Sequence, residues 1–324
     1  MYMDLEFEDQ TTFLVTGGAG FIGSNLCEAI LDAGYGVKCL DNFSTGKEEN
    51  IEAFSENPRF TLLNGDIRDM DTCIDACRGV DFVLHQAACG SVPGSIEKPL
   101  YYEEVNIRGT LNMMEAARRT KVKKFVYASS SSVYGDLVSP LQKEGSEGNP
   151  LSPYALTKKA DEGFARLYFL LYGLRTVGLR YFNVFGKRQD PNGPYAAVIP
   201  KFIGQLIEDR APTIDGDGMQ SRDFIYVGDV AQANLRACLA PEEADGGLFN
   251  IAFGNKATIL DLYETISGLL QKDIRPAFGP VRPGDIRHSN ADITRAKTLL
   301  GFAPRYSLSE GLKPTVEWFE KHRI

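Results

Sequence analysis

Residues 12–23 read Thr12-Phe13-Leu14-Val15-Thr16-Gly17-Gly18-Ala19-Gly20-Phe21-Ile22-Gly23. Five strand-forming residues run into a glycine cluster. The helical pattern Ile22–Ala33 follows, with Ile22, Leu26 and Ile30 at four-residue spacing and Gly34 as its stop. Gly17, Gly20 and Gly23 keep G-x-x-G-x-x-G spacing. Such glycines let the chain turn sharply and let its backbone approach a pyrophosphate, which then rests on the positive end of the helix. Glycine-rich turns also serve plain packing, so the context decides. Here a strand precedes, a helix follows, and Asp41 ends the second strand 18 residues past Gly23. A carboxylate there accepts the adenosine ribose hydroxyls and repels a 2′-phosphate, which predicts NAD rather than NADP. Asp66-Ile67, just after the third strand, is placed to meet the adenine.

Outward from this unit, apolar runs alternate with helical patterns. The strand-like runs are Thr12–Thr16, Val37–Leu40, Phe60–Leu63, Phe82–His85, Phe125–Ala128 and Thr176–Tyr181. That alternation predicts an α/β fold, a Rossmann-type doubly wound parallel sheet. Two longer amphipathic patterns, Leu100–Thr120 and Pro153–Tyr172, can carry an interface as well as a core. After Gly186 the chain turns to Gly-, Pro- and Asp-rich loops and shorter helices. The expected division is an NAD-binding domain over 1–186, with returning segments near 227–253, and a smaller mixed α/β substrate domain over 187–226 and 254–324.

Composition removes other classes. The 324 residues carry 35 basic and 43 acidic side chains, a formal charge of −8, which argues against nucleic acid as the main partner. An anionic ligand must then be met locally, by placed arginines and backbone N–H groups. No apolar run reaches the roughly 18 residues that a membrane span needs. The acidic start (Asp4, Glu6, Glu8, Asp9) is unlike a signal peptide, and the six cysteines read as reduced buried thiols, so a cytoplasmic protein is expected. Cys73 and Cys77 share a helix face without a second ligand pair nearby, and only three histidines are present, so no metal is expected.

Tyr154 and Lys158 are four apart and share a helical face. A nearby ammonium favours the phenolate and makes tyrosine a usable acid/base. A chain of this composition yields about 1.5 such pairs by chance, so position must carry the assignment. Pro153 marks a helix start, and Ser129-Ser130-Ser131-Ser132 ends the fifth strand at the carboxyl edge, where open α/β sheets bind ligands. A serine there can bond a sugar hydroxyl and relay its proton to Tyr154.

Together with the glycine motif, several further stretches carry a resemblance across essentially the whole chain. They are His85-Gln86-Ala87-Ala88, Ser130-x-x-Val133-Tyr134-Gly135, Tyr154-x-x-x-Lys158, Arg180-Tyr181-Phe182-Asn183-Val184-Phe185-Gly186, Ser221-Arg222-Asp223-Phe224 and Arg282-Pro283-Gly284-Asp285. The sequence resembles the nucleotide-sugar 4-epimerases of the extended short-chain dehydrogenase/reductase family. The resemblance implies catalytic roles for Ser130, Tyr154 and Lys158. It implies NAD contacts at Gly17, Gly20, Phe21, Ile22, Gly23, Asp41, Asn42, Gly46, Asp66, Ile67, Gln86, Ala87, Ala88, Tyr154, Lys158 and Tyr181. Substrate contacts are implied at Ser91, Ser130, Ser131, Ser132, Tyr154, Asn183, Gln189, Ala197, Val198, Arg222, Arg282, Asp285 and Ser289. Asn183, Arg222, Arg282 and Asp285 would hold a uridine diphosphate.

Related 4,6-dehydratases and decarboxylases keep a carboxylate in the loop after the catalytic serine. Here Ser131 and Ser132 stand there, with no carboxylate between Ser129 and Gly135, so simple C4 epimerisation survives. A silent NAD-binding regulator is the alternative from another class, disfavoured by the intact Ser130, Tyr154 and Lys158. Among sugars, the chain looks closest to bacterial UDP-N-acetylglucosamine 4-epimerases. Ser289 stands where glucose-restricted relatives carry a bulky Tyr, which leaves volume for a 2-acetamido group. Acceptance of both acetylated and plain hexoses is the alternative. A 6-carboxylated sugar facing Lys187 or Arg188 is another. By the same resemblance, a homodimer is expected through the two long helical patterns.

Overall fold

The computed structural model describes residues 5–139, 141–192, 196–281 and 287–322. Seven parallel strands form the central sheet: β1 Thr12–Thr16, β2 Gly36–Asp41, β3 Phe60–Asn64, β4 Phe82–His85, β5 Lys124–Ser130, β6 Thr176–Tyr181 and β7 Gly247–Ile251. Their spatial order is β3-β2-β1-β4-β5-β6-β7. The order reverses between β1 and β4. Connections leave those two strands toward opposite faces and open a crevice at their carboxyl ends.

Both sheet faces are covered, which explains why the strands are apolar runs rather than alternating ones. Phe13 and Val15 join one core with Leu26 and Ile30 of the helix α1 (Phe21–Asp32) and with Val230, Ala233 and Leu235 of the helix Val227–Leu239. Leu14 points the other way, into a core with Met113, Ala117 and Ala165 from the helices Gly109–Thr120 and Pro153–Tyr172. Each of these Val, Leu, Ile, Phe and Met side chains contributes about 1.5–3 kcal/mol on burial, so the sheet is a rigid floor for anything at its edge. A third core, with Phe202, Leu206, Leu262, Ile266, Leu312 and Phe319, holds the helices Val198–Ile207, Ile259–Leu269 and Leu308–His322 together. Trp318 packs against it and stacks on His322. Late segments return to the large core: Ala296, Leu300 and Phe302 belong to it.

The pattern Leu100–Thr120 departs from a plain α-helix. Residues Glu103–Arg108 form a π-helical turn between Pro99–Tyr102 and Gly109–Thr120. The buried side chain of Asn106 explains the extra residue: it accepts from Cys89 N (2.8 Å) and donates to Cys89 O (3.1 Å) and Thr157 Oγ1 (3.0 Å). All six cysteines are free thiols, five of them buried. Burial pushes Cys73 and Cys77 up to about 12, and no cluster able to hold a metal occurs among the described residues. No helix among them is long and apolar enough to cross a membrane.

Candidate active site

The glycine positions are dictated by close approaches. Gly17 has φ +66°, and a Cβ on it would lie 2.8 Å from Ala87 Cα and N. A Cβ on Gly23 would lie 2.0 Å from Gly17 O. No larger residue fits either place. Gly20 caps α1 without any side-chain acceptor, so the first-turn N–H groups are left for a ligand. Asp41, at the end of β2, is 7% exposed. Its Oδ2 accepts from Ala19 N (2.9 Å) and its Oδ1 from Phe43 N (2.8 Å). The carboxylate therefore both fixes the glycine turn and presents its remaining lone pairs to the crevice. Gly46 leaves room for it, since a Cβ there would meet both Asp41 oxygens at 2.9 Å. Asn42 donates to Asp66 Oδ2 (2.9 Å), and Asp66 is held down to about 2, chiefly by the Arg68 guanidinium.

At the other end of the crevice, β4 leads into Gln86-Ala87-Ala88. Gln86, Tyr181 and Asn234 form a closed set: Tyr181 donates to Gln86 Oε1 (3.1 Å), and Gln86 Nε2 donates to Asn234 Oδ1 (3.1 Å). Burial pushes the Tyr181 phenol well up, so it stays protonated and is no base. His85 is buried between Thr16 Oγ1 and Thr110 Oγ1, and burial lowers it to about 3, which makes it a neutral packing group.

Ser130 ends β5, while Tyr154 and Lys158 lie on the first turns of the helix Pro153–Tyr172. Ser152 caps that helix, accepting from Ala155 N (3.1 Å), and Pro153 starts it. The Ser130 oxygen accepts from Ser132 N (3.2 Å) and Ser132 Oγ (2.9 Å), which leaves its own proton to donate. Lys158 is nearly fully buried, its Nζ 3.1 Å from Ala128 O and 3.5 Å from Asp161 Oδ2. Behind this set lies a buried ionic network. Arg180 on β6 is 0% exposed and grips Glu162 through two bonds of 2.7 and 2.8 Å. It also donates to Tyr134 Oη and pairs with Glu147, and Ser129 donates to Glu162 (2.7 Å). The network ties β5, β6 and the Tyr154 helix into one block. Sequence reasoning missed Asn106, Asp161, Glu162 and Arg180 in these roles. Glu162 had a signal, lying on the same helical face as Tyr154 and Lys158; Asn106 had none.

One cleft of about 430 Å³ is lined by Gly17, Gly20, Phe21, Ile22, Gly23, Asp41, Asn42, Asp66, Ile67, Gln86, Ala87 and Ala88, together with Ser130, Tyr154, Lys158, Tyr181, Asn183 and Gln189. A larger hollow of about 550 Å³ lies behind α1, beside Glu28 and Tyr226, away from these groups. Asn183, with φ +23°, donates to Asp223 O (2.8 Å). Gln189 donates to Val184 O (3.2 Å), while its buried Oε1 has no partner among the described residues. Gly46, Ser91, Ser131, Ser132, Ala197, Val198, Arg222 and Ser289 lie outside that lining. Ser91 caps the helix Val92–Glu97, Ala197 and Val198 open the uncapped helix Val198–Ile207, and the Arg222 guanidinium donates to Ser221 O (2.9 Å). Ser289 is 8% exposed and donates to Gln142 Oε1 (3.3 Å). Arg282 and Asp285 lie outside the described residues. Lys187 and Arg188 both pair with Glu28, at 2.5 and 2.9 Å, so their charge is already met within the protein.

The donor set fits NAD. The Cβ-free approach at Gly17 and Gly23, the open first turn of α1 and the half-committed carboxylate of Asp41 together match a dinucleotide's pyrophosphate and ribose. The comparisons agree. Residues 13–252 match the NAD-dependent epimerase/dehydratase family. The UDP-glucose 4-epimerase of Mycolicibacterium smegmatis is 39% identical, covering 94% of this chain and 97% of its own. The solved UDP-N-acetylglucosamine 4-epimerase of Methanobrevibacter ruminantium M1, in complex with UDP-N-acetylmuramic acid, is 41% identical with a TM-score of 0.92, covering 97% of this chain and 100% of its own. The UDP-glucuronic acid 4-epimerase of Bacillus cereus, solved with UDP-glucuronic acid and NAD, is 35% identical with a TM-score of 0.88, covering 96% and 100%. The family match over residues 13–252, with relatives 39% and 41% identical along nearly the whole chain, places this protein in the NAD-dependent epimerase/dehydratase family.

Proposed function

We propose that this protein inverts C4 of a UDP-hexose through a transient 4-keto sugar, with UDP-N-acetylglucosamine and UDP-N-acetylgalactosamine as its preferred pair. The observation that carries the reading is convergence. Ser130, Tyr154 and Lys158 meet in the cleft that the glycine turn opens, and no carboxylate stands in Ser131–Gly135 to drive elimination.

The residues divide the work. Ser130, its oxygen already loaded by Ser132, donates toward the sugar oxygen at C4. Tyr154 takes the hydroxyl proton, and the buried Lys158 ammonium supplies the positive field that favours the phenolate. Bound NAD supplies the hydride acceptor for C4 and the source of its return. Tyr181 and His85 stay neutral there and offer no competing base. The diphosphate is assigned to Asn183, Arg222, Arg282 and Asp285, with Ser91, Gln189, Ala197 and Val198 around the sugar. Anchored there, the 4-keto sugar can turn over and present its other face while Tyr154 hands the proton back. Ser289, standing where the resemblance puts a bulky Tyr in glucose-restricted relatives, is assigned to leave room for an acetamido group. The closed pairing of Lys187 and Arg188 with Glu28 speaks against a 6-carboxylate reader.

A homodimer belongs to the same reading. Leu156, Leu167, Leu170 and Leu171 on the Tyr154 helix are 48–66% exposed, and Leu100 beside them is 78% exposed. Such a stripe suits a second copy; sedimentation showing monomer alone at micromolar concentration would refute it. The activity is tested by incubating protein purified without added cofactor with each UDP-sugar and identifying the product. UDP-N-acetylgalactosamine from UDP-N-acetylglucosamine is expected. A persistent 4-keto sugar or released carbon dioxide contradicts the reading.

A further inference from the structure

Lys158 does not sit alone in its pocket. Asp161, one turn further along the helix and 1% exposed, places Oδ2 3.5 Å from Lys158 Nζ. Its Oδ1 is buried with no hydrogen-bond partner among the described residues. A buried ion pair built for stability has short contacts and satisfied oxygens. The Arg180–Glu162 pair next door meets that description; Lys158–Asp161 does not. The other groups facing Asp161 are Glu162 on its own helix and Tyr127 on β5. Lys158 is faced from the end of β4 by the neutral His85 and by Cys89.

We propose that Asp161 is a positioning residue that tempers the Tyr154–Lys158 pair: ionised, it draws part of the ammonium's field away from the phenol, and protonated, it releases that field to Tyr154. Asp161 does not line the cleft, so it acts only through Lys158. Burial pushes its carboxyl up to about 7 against the pull of Lys158, so both states are accessible near neutrality. The acid strength of Tyr154 then responds to a proton one helix turn beyond its lysine. The inference rests on the acid/base role assigned to Tyr154 above.

Asp161→Asn keeps the shape and removes the charge. The test uses NAD-loaded protein and reads two quantities. One is tyrosinate absorbance against pH, with Tyr154→Phe in the same background subtracted; the other is the pH profile of kcat. The Tyr154 ionisation is expected to move down by up to about one pH unit, the low end of what a neighbouring charge does. The acid limb of kcat should follow it, a gain of up to about tenfold in turnover on that limb. An unchanged or upward-shifted ionisation overturns the proposal. If Asp161→Asn does not fold, carbon NMR titration of the Asp161 carboxyl in the parent protein decides. Ionisation near neutrality with a matching inflection in Tyr154 supports the proposal, and a carboxylate ionised throughout overturns it. A tyrosinate shift without any epimerase turnover would keep the coupling and discard the proposed reaction.

Discussion

The two halves of the cleft are built on different principles. The cofactor half is made by backbone. Gly17, Gly23 and Gly46 are required by approaches of 2.0–2.9 Å, and Asp41 is fixed by amides within and next to its own turn. The proposed sugar half draws on side chains far apart in the chain: Ser130, Asn183 and Gln189 line the cleft, while Ser91, Arg222 and Ser289, assigned to the sugar by the proposal, lie outside that lining. A close backbone approach leaves its mark at fixed local spacing. A pocket assembled from distant segments leaves none, and its members can change one at a time to suit another sugar. Relatives of similar overall likeness that are named for UDP-glucose, UDP-N-acetylglucosamine and UDP-glucuronic acid are what that difference leads one to expect.

Substitutions can break the contrast at several depths. Tyr154→Phe should lower kcat by about 10²–10⁴-fold while leaving bound NAD in place; cofactor content and single-turnover rate, measured on one preparation, check both. Glu162→Ala leaves the buried Arg180 with Glu147 as its remaining carboxylate, and should destabilise by about 3 kcal/mol. Urea denaturation reads this, and an unchanged midpoint would show that the network does not hold the sheet edge together. Gly23→Ala should cost about 1–3 kcal/mol in the cofactor half, because the new Cβ meets Gly17 O; the purified protein should then lose NAD on gel filtration yet keep its fold by circular dichroism. Ser289→Tyr should act on the sugar half alone, lowering kcat/KM for UDP-N-acetylglucosamine about tenfold or more relative to UDP-glucose, with cofactor content unchanged.

The remaining expected effect concerns pH. Asp223, 0% exposed, accepts from Phe253, Gly254 and Ala291 N–H groups that join the loops behind the sugar half. Burial outweighs those bonds and pushes it up to about 7. A carboxyl whose folded value lies above its unfolded one adds stability below the unfolded value and loses it as pH rises through the folded one. The thermal midpoint of the parent protein should therefore fall relative to Asp223→Asn between about pH 4 and about pH 7. Asp66, held down to about 2 by Arg68, has the opposite sign: its contribution is present above the ordinary aspartate value and is lost as pH falls toward 2.

The same contrast explains what could be read in advance. The strands β1 and β4 and the helix Pro153–Tyr172 fall where their apolar periodicity, caps and prolines place them, because those signals are local. Gly17, Gly20, Gly23 and Asp41 were legible for the same reason. β7 and the helix Val227–Leu239 reach the large core from far along the chain, where the sequence reading places returning segments near 227–253. The π-helical turn at Glu103–Arg108 had no local signature. It exists because Asn106 must reach Cys89 and Thr157, contacts set by tertiary packing. The Arg180–Glu162 network was hidden likewise, since a fully buried arginine is not something composition announces.

In the proposed reaction one hydrogen leaves C4 and comes back to the same carbon. UDP-N-acetylglucosamine carrying deuterium at C4, incubated with the protein in ordinary water, tests it directly. Mass spectrometry and NMR should find UDP-N-acetylgalactosamine that still carries the deuterium at C4. Epimer whose C4 deuterium has been replaced by solvent hydrogen would contradict the account.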